Sequence, residues 1–305
     1  MNTFGFQCDK VIIIESLPDE ERQIRDGKLM SSGEYYIENL FPYCNSFREQ
    51  PVQTDLRVAD SALELFNHLD SICKRVHDVD EIPLIHFEIH GRDQKDGMTL
   101  KNGDFVDWHT LLEKLTDINV ASANHLFVVF ATCSGAFNIK YIMPRERPFP
   151  YYAAIAPDKP DFPIFLEQRY SLFYISMIID GDMEKAFKDV ISGEGYARII
   201  SSTCEFYLYQ AFNDVICNLK AKQSHQNTID KLIDLLSRRD TQSFHMSSDE
   251  LRRRIQAMLS DPSLGSNTLQ RMKDKYLMAN DTRNVNRFGF TVEELLTAFK
   301  VSAGS

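Results

Sequence analysis

The sequence predicts an α/β fold: a mainly parallel central sheet covered by helices on both faces, with a helical extension behind it. Three observations carry this expectation. Short β-branched apolar runs of strand length recur through the first half. Stretches with apolar residues at helical 3–4 spacing separate them. After about residue 222 the strand signals stop and only helical ones follow. Strands divided by helices favour parallel pairing, with both sheet faces covered.

The first run, "KVIIIESLP" at 10–18, is β-branched and ended by proline, which reads as a buried strand. Residues 19–58 read as polar and irregular, with weak extended segments such as "EYYIENLF". The stretch 60–78 places Leu63, Phe66, Leu69, Ile72, Cys73 and Val76 on one face, an amphipathic helix capped by Asp60 or Ser61. "IPLIHFEIHG" at 82–91 is the second strand. Asp96-Gly97 and Asn102-Gly103 then flank "MTLK", a hairpin signal. A helix follows at 107–119, strands at 125–133 and 151–157, and a helix at 167–179 whose aromatic and methionine stripe reads as core. Beyond that, helices are expected at 227–240, 247–259, 268–281 and 291–299. The domain division expected is 1–222 for the sheet domain and 223–305 for the helical extension.

With 305 residues, 43% hydrophobic and 26% charged, the chain has material for an ordinary core without staples. A net charge of −10 disfavours nucleic acid as a partner. No apolar window reaches the ~18 residues of a membrane span, and the start lacks a signal-peptide pattern. Membrane insertion is not expected, and a cytoplasmic location is. The six cysteines form no CxxC pair, so neither a zinc ribbon nor a thioredoxin motif is present. Cys8, Cys44, Cys73, Cys204 and Cys217 read as core fillers. No Walker or dinucleotide glycine pattern and no calcium-loop spacing occurs, so neither cofactor nor metal is indicated.

Cys133 stands apart by context. "FEIHGR" (87–92) and "FATCSGA" (130–136) each end a predicted strand at a reactive side chain followed by glycine. In parallel α/β sheets, sites form beyond the carboxyl ends of strands. A cysteine hydrolase needs a thiol near a base and donors for the oxyanion. His90 and Cys133 supply the first two. The amides of Gly91 and Cys133 are candidate oxyanion donors, and Gly135 is expected to let the chain turn after the nucleophile.

The span "IPLIHFEIHG…GDFVDWHTLLEKLTDIN…NHLFVVFATCSGA" resembles the core of caspase-like cysteine peptidases of clan CD, and most closely the bacterial CHAT (caspase and separase-like) type. There a histidine-glycine pair ends one strand and the cysteine ends the next parallel one. The resemblance places His90 on the family's histidine and Cys133 on its nucleophile, at a spacing near the ~50 residues of caspases. It implies a caspase-like sandwich, a thiol protease acting on a protein or peptide substrate, and control by a sensor or partner protein. It further implies a role in bacterial antiviral defence or cell death, for example activating a gasdermin-like pore-former. The chain departs from the family before the cysteine: caspases carry Gln-Ala and metacaspase-like members an acid two residues upstream, where this chain has Ala131 and Thr132. Neither charge preference carries over.

The remaining candidates are weaker. Asp158, after the strand at 151–157, is a candidate for the substrate pocket beside Ala131. Glu88 shares a strand face with His86 and His90 and is a candidate orienter. His86, deeper in the strand, reads as a hydrogen-bonded core residue, and His109 as a surface or capping one. Ser134 lacks the G-x-S-x-G context of a serine nucleophile. "PDEER" at 18–22 reads as a solvated face. The competing functions are a catalytically silent interaction module on the same fold, and a small-molecule amide or acyl hydrolase.

Overall fold

The computed structural model describes residues 8–25, 27–142, 147–220, 264–284 and 287–294. Its sheet runs in the order β10-β9-β8-β5-β1-β4. The strands are β1 (Lys10–Ser16), β4 (Gln53–Val58), β5 (Pro83–Gly91), β8 (Phe127–Phe130), β9 (Ala153–Pro157) and β10 (Ile199–Thr203). All pairs are parallel except β9 with the edge strand β10. β6 (Gly97–Thr99) and β7 (Phe105–Asp107) form the expected hairpin, which extends β5 at its carboxyl end. The fold is therefore α/β with a mainly parallel central sheet flanked by helices, as the sequence predicts.

Alternation along the strands separates two packed layers. One face carries Val11 and Ile13 of β1, Leu84 of β5 and Phe127 and Val129 of β8. It packs on α5 (Pro163–Ile175) through Tyr170, Phe173 and Tyr174, and on the segment holding Tyr36, Leu40 and Phe41. On the other face Phe130 meets Trp108 of α4 (Trp108–Ala121), edge-on at 5.7 Å. α4 in turn packs on α3 (Ala62–Val79). Ser61 caps α3 in a reciprocal box with Glu64, which singles out the second of the two expected caps.

Two segments depart from the sequence expectation. "EYYIENLF" is helical, not extended: α1 (Ser32–Tyr35) leads through a wider turn at Tyr36–Leu40 into α2 (Phe41–Asn45). The Ser31–Glu34 capping box starts it, and Gly33, Tyr36, Leu40, Phe41 and Cys44 are buried at helical spacing. Residues 53–58 form β4, hidden from a pattern reading because this edge strand is only partly buried and mostly polar. A small two-stranded sheet, β2 (Gln23–Arg25) with β3 (Lys28–Met30), turns at Gly27.

By contact the chain falls into two units, one running to Cys204 and including Asp281–Arg287, the other holding the remainder. α6 (Cys204–Lys220) starts at the last residue of that first stretch and carries the chain on into the second unit, where α7 (Leu264–Tyr276) covers most of the helix expected at 268–281. The expected helices at 227–240 and 247–259 lie outside the described residues. So does all but the start of 291–299, where Thr291 and Glu294 cap each other reciprocally. No helix among the described residues is long and apolar enough to cross a membrane.

Candidate active site

β5 and β8 deliver two reactive side chains to one end of the sheet. His90 is the penultimate residue of β5, and Cys133 follows β8 closely. Ala131 continues the ladder, its N–H donating to the Phe87 carbonyl at 2.9 Å. The chain then turns sharply, but Gly135 does not supply the turn. The left-handed residue is Ser134, at φ 58°, followed by a 3-10 segment from Gly135 to Tyr141. Gly135 is required by space instead: a Cβ there would lie 3.0 Å from Phe130 Cβ and 3.3 Å from Ala156 Cβ.

Gly91 is required by proximity. A Cβ on it would lie 1.8 Å from the Cys133 carbonyl oxygen and 3.1 Å from the Cys133 nitrogen. The main chains of the histidine-glycine pair and of the cysteine are thus in direct contact. His90, Ala131 and Cys133 open on one cleft of about 440 Å³. The 17–23 loop after β1 forms one wall, and Asp161, Leu166 and Glu167, at and before the start of α5, form another.

His90 Nε2 meets Glu21 Oε1 at 2.8 Å, both side chains being partly exposed. No hydrogen bond among the described residues joins His90 to Cys133. The loop read as a solvated acidic face is therefore a wall of the cleft, and its Glu21 holds the histidine. Nothing in the local sequence signals this pairing, because it joins segments distant along the chain.

Cys133 is half-buried. Burial pushes its thiol up, the backbone amides of Asp161 and of Cys133 itself pull the other way, and the charges of Asp161 and Glu21 add to the rise. The resting thiol is thus held in its protonated form at neutral pH. Asp161, not singled out by the sequence, is held firmly: its buried carboxylate accepts from the amides of Phe162, Tyr196 and Ala197 at 2.9, 3.1 and 2.9 Å. That clamp places the Asp161 amide beside the thiol.

The other candidates sort by their contacts. Glu88 accepts from His86 Nε2 at 2.9 Å, not from His90, and His86 Nδ1 meets the Tyr174 hydroxyl at 2.6 Å. His86 is fully buried, as a core residue should be. Asp158 is not a wall of the cleft. It pairs with Arg198 at 2.8 Å across the β9–β10 end. Burial opposes its charge, but the Arg198 contacts outweigh burial and hold the carboxyl below its ordinary range. His109 lies near Glu113 in an exposed i,i+4 pair, and Ser134 is buried. Of the cysteines read as core, Cys44 and Cys204 are buried and Cys8 and Cys73 partly so, while the side chain of Cys217 lies outside the described residues. Among the described residues no three His, Cys, Asp or Glu side chains gather as metal ligands.

Neither the protein-family models nor the curated protein sequences contain a match to this chain. The site's chemistry therefore stands on its own geometry: a neutral thiol beside backbone amides, and an imidazole steadied by a carboxylate, in one cleft.

Proposed function

We propose that this protein is a cysteine endopeptidase of caspase-like type. The observation that carries the reading is the contact of Gly91 with the Cys133 main chain, which brings His90 and the thiol to one cleft at the carboxyl ends of adjacent parallel strands. His90 acts as general base toward the Cys133 thiol and then as general acid toward the leaving amine. The thiolate attacks the scissile carbonyl, the amides of Gly91 and Cys133 stabilise the oxyanion, and water hydrolyses the acyl-enzyme. Burial raises the thiol, so its deprotonation depends on transfer of the proton to His90. The substrate is a protein or peptide. A place in a defence or cell-death pathway, under an activating partner, rests on the family resemblance alone.

The test is cleavage-site mapping on a proteome-derived peptide library, with Cys133→Ala as control. Cleavage by the wild type and none by the variant is the expected result. Undiminished cleavage by Cys133→Ala would sink the assignment. One observation favours a second reading, a catalytically silent module: the imidazole lies 2.8 Å from the Glu21 carboxylate, and no hydrogen bond among the described residues joins it to the thiol. A cysteine-reactive peptide probe separates the two, since labelling of Cys133 that depends on His90 belongs only to an enzyme.

A further inference from the structure

The acids of the cleft are unequally satisfied. Glu15 on β1 and Glu88 on β5 are direct neighbours in the parallel register, each only 8% exposed, and both line the cleft. The cleft's two arginines are already committed, Arg22 to Glu34 and Arg25 to Glu167. Glu15 accepts from the Gly33 amide at 2.9 Å and faces no cation among the described residues.

Glu88 is the more exceptional of the two. One of its oxygens takes His86 Nε2. The other nitrogen of His86 meets the Tyr174 hydroxyl. No lysine or arginine pairs with Glu88 among the described residues, and its second oxygen has no hydrogen-bond partner there. The charge is felt around it: after burial itself, Glu88 is among the causes that raise the carboxyls of both Glu15 and Glu167. A buried, unpaired charge is costly to a fold unless something arrives to pair it.

Resting on the peptidase reading above, we infer that this cleft selects a cationic side chain, the lysine or arginine immediately before the scissile bond, which Glu88 and Glu15 receive. Several features fix the choice. Glu88 follows Phe87, whose carbonyl takes the Ala131 amide, so its carboxylate sits on the strand beside the residues leading into Cys133. Ala131, which also lines the cleft, carries only a methyl group. A cleft of about 440 Å³ accommodates a long side chain. An aspartate entering the same place meets like charge on both sides and is rejected.

The experiment uses the full chain and three fluorogenic peptides that differ only in the residue before the reporter: arginine, norleucine or aspartate. In parallel, Cys133→Ala protein is titrated with the matching product peptides by calorimetry. The expected result is a kcat/KM for arginine at least about tenfold above norleucine, with aspartate uncleaved, as a charge-assisted contact warrants. Glu88→Gln keeps an acceptor for His86 but loses the charge, and lowers the arginine-to-norleucine ratio about tenfold. Glu15→Gln lowers it less and stands in if Glu88→Gln fails to fold. Equal or better cleavage of norleucine or aspartate overturns the cationic preference and leaves the peptidase intact. No cleavage of any peptide, with the Cys133→Ala protein still preferring the arginine product, upholds the preference and overturns the peptidase. No cleavage and no binding preference overturns both.

Discussion

β5 carries two histidine–carboxylate pairs on one face, and they serve opposite ends. His86 and Glu88 meet deep in the sheet, where His86 is fully enclosed and held on its other side by Tyr174. His90 and Glu21 meet at the strand's end, with 44% and 38% of their side chains exposed. In the inner pair both nitrogens of the enclosed His86 are engaged by the protein, so the loss of that histidine falls on stability. In the outer pair one ring nitrogen has no hydrogen-bond partner among the described residues, so on the proposed function its loss falls on chemistry. Four residues along one strand, not a change of residue type, separate an enclosed histidine from one that opens on the cleft.

The sharpest way to break this comparison is at the reactive end. Cys133→Ala is expected to lower peptide hydrolysis by at least about a thousandfold and His90→Ala by roughly 10²–10⁴-fold, with thermal unfolding hardly moved. Gly91→Ala forces a Cβ into the Cys133 carbonyl, and is expected to cost about 1–3 kcal/mol in urea unfolding and on the order of a hundredfold in kcat. His86→Ala is its counterpart at the buried end. It strands the Tyr174 hydroxyl and Glu88, costing about 2–4 kcal/mol in the same unfolding assay, and a stable variant would dissolve the distinction between the pairs.

Glu21→Gln tests the outer pair more finely. Stability should change by under about 1 kcal/mol, as for an exposed ion pair. Glu21's charge raises the Cys133 thiol, so removing it stabilises the thiolate and speeds iodoacetamide labelling of Cys133 at pH 7 by a few-fold. Hydrolysis should nevertheless fall, because His90 loses its anchor; a parallel rise in both rates would show that Glu21 only restrains the site.

A last effect concerns a thiol outside the cleft and shows only at alkaline pH. Burial raises Cys44 from 9.0 to about 11. A group whose pKa is raised on folding contributes stability below its unfolded value and loses it as pH climbs toward the folded one. Stability is therefore expected to decline by about 1–2 kcal/mol between pH 9 and 11, a slope that Cys44→Ala flattens in pH-dependent urea unfolding.

The sheet was legible wherever both faces of a strand were buried, because the apolar run announces itself: "VIII" and "FVVF" needed no partner to be read. β4 was not, since an edge strand with intermediate burial has no apolar run to show. "EYYIENLF" misled through its aromatic and β-branched content, although Ser31 and Glu34 held the helix signal in plain view. At the site, the placement of His90 and Cys133 at strand ends was readable because the apolar runs before them are local, whereas the part played by Gly135 was not, since it comes from Phe130 and Ala156. Glu21, Asp161 and the fate of Asp158 were not, because each depends on a residue brought in from a distant segment: His90, the 196–197 amides and Arg198.

The contact between Gly91 and the Cys133 carbonyl has a consequence for how such a protein can change over time. It fixes the spacing of the reactive groups in the main chain, where side-chain replacement elsewhere has little purchase. The charges that line the cleft come instead from side chains on β1, β5, the 17–23 loop and α5. On the proposed function, selectivity can therefore drift by single substitutions while the reaction itself stays put.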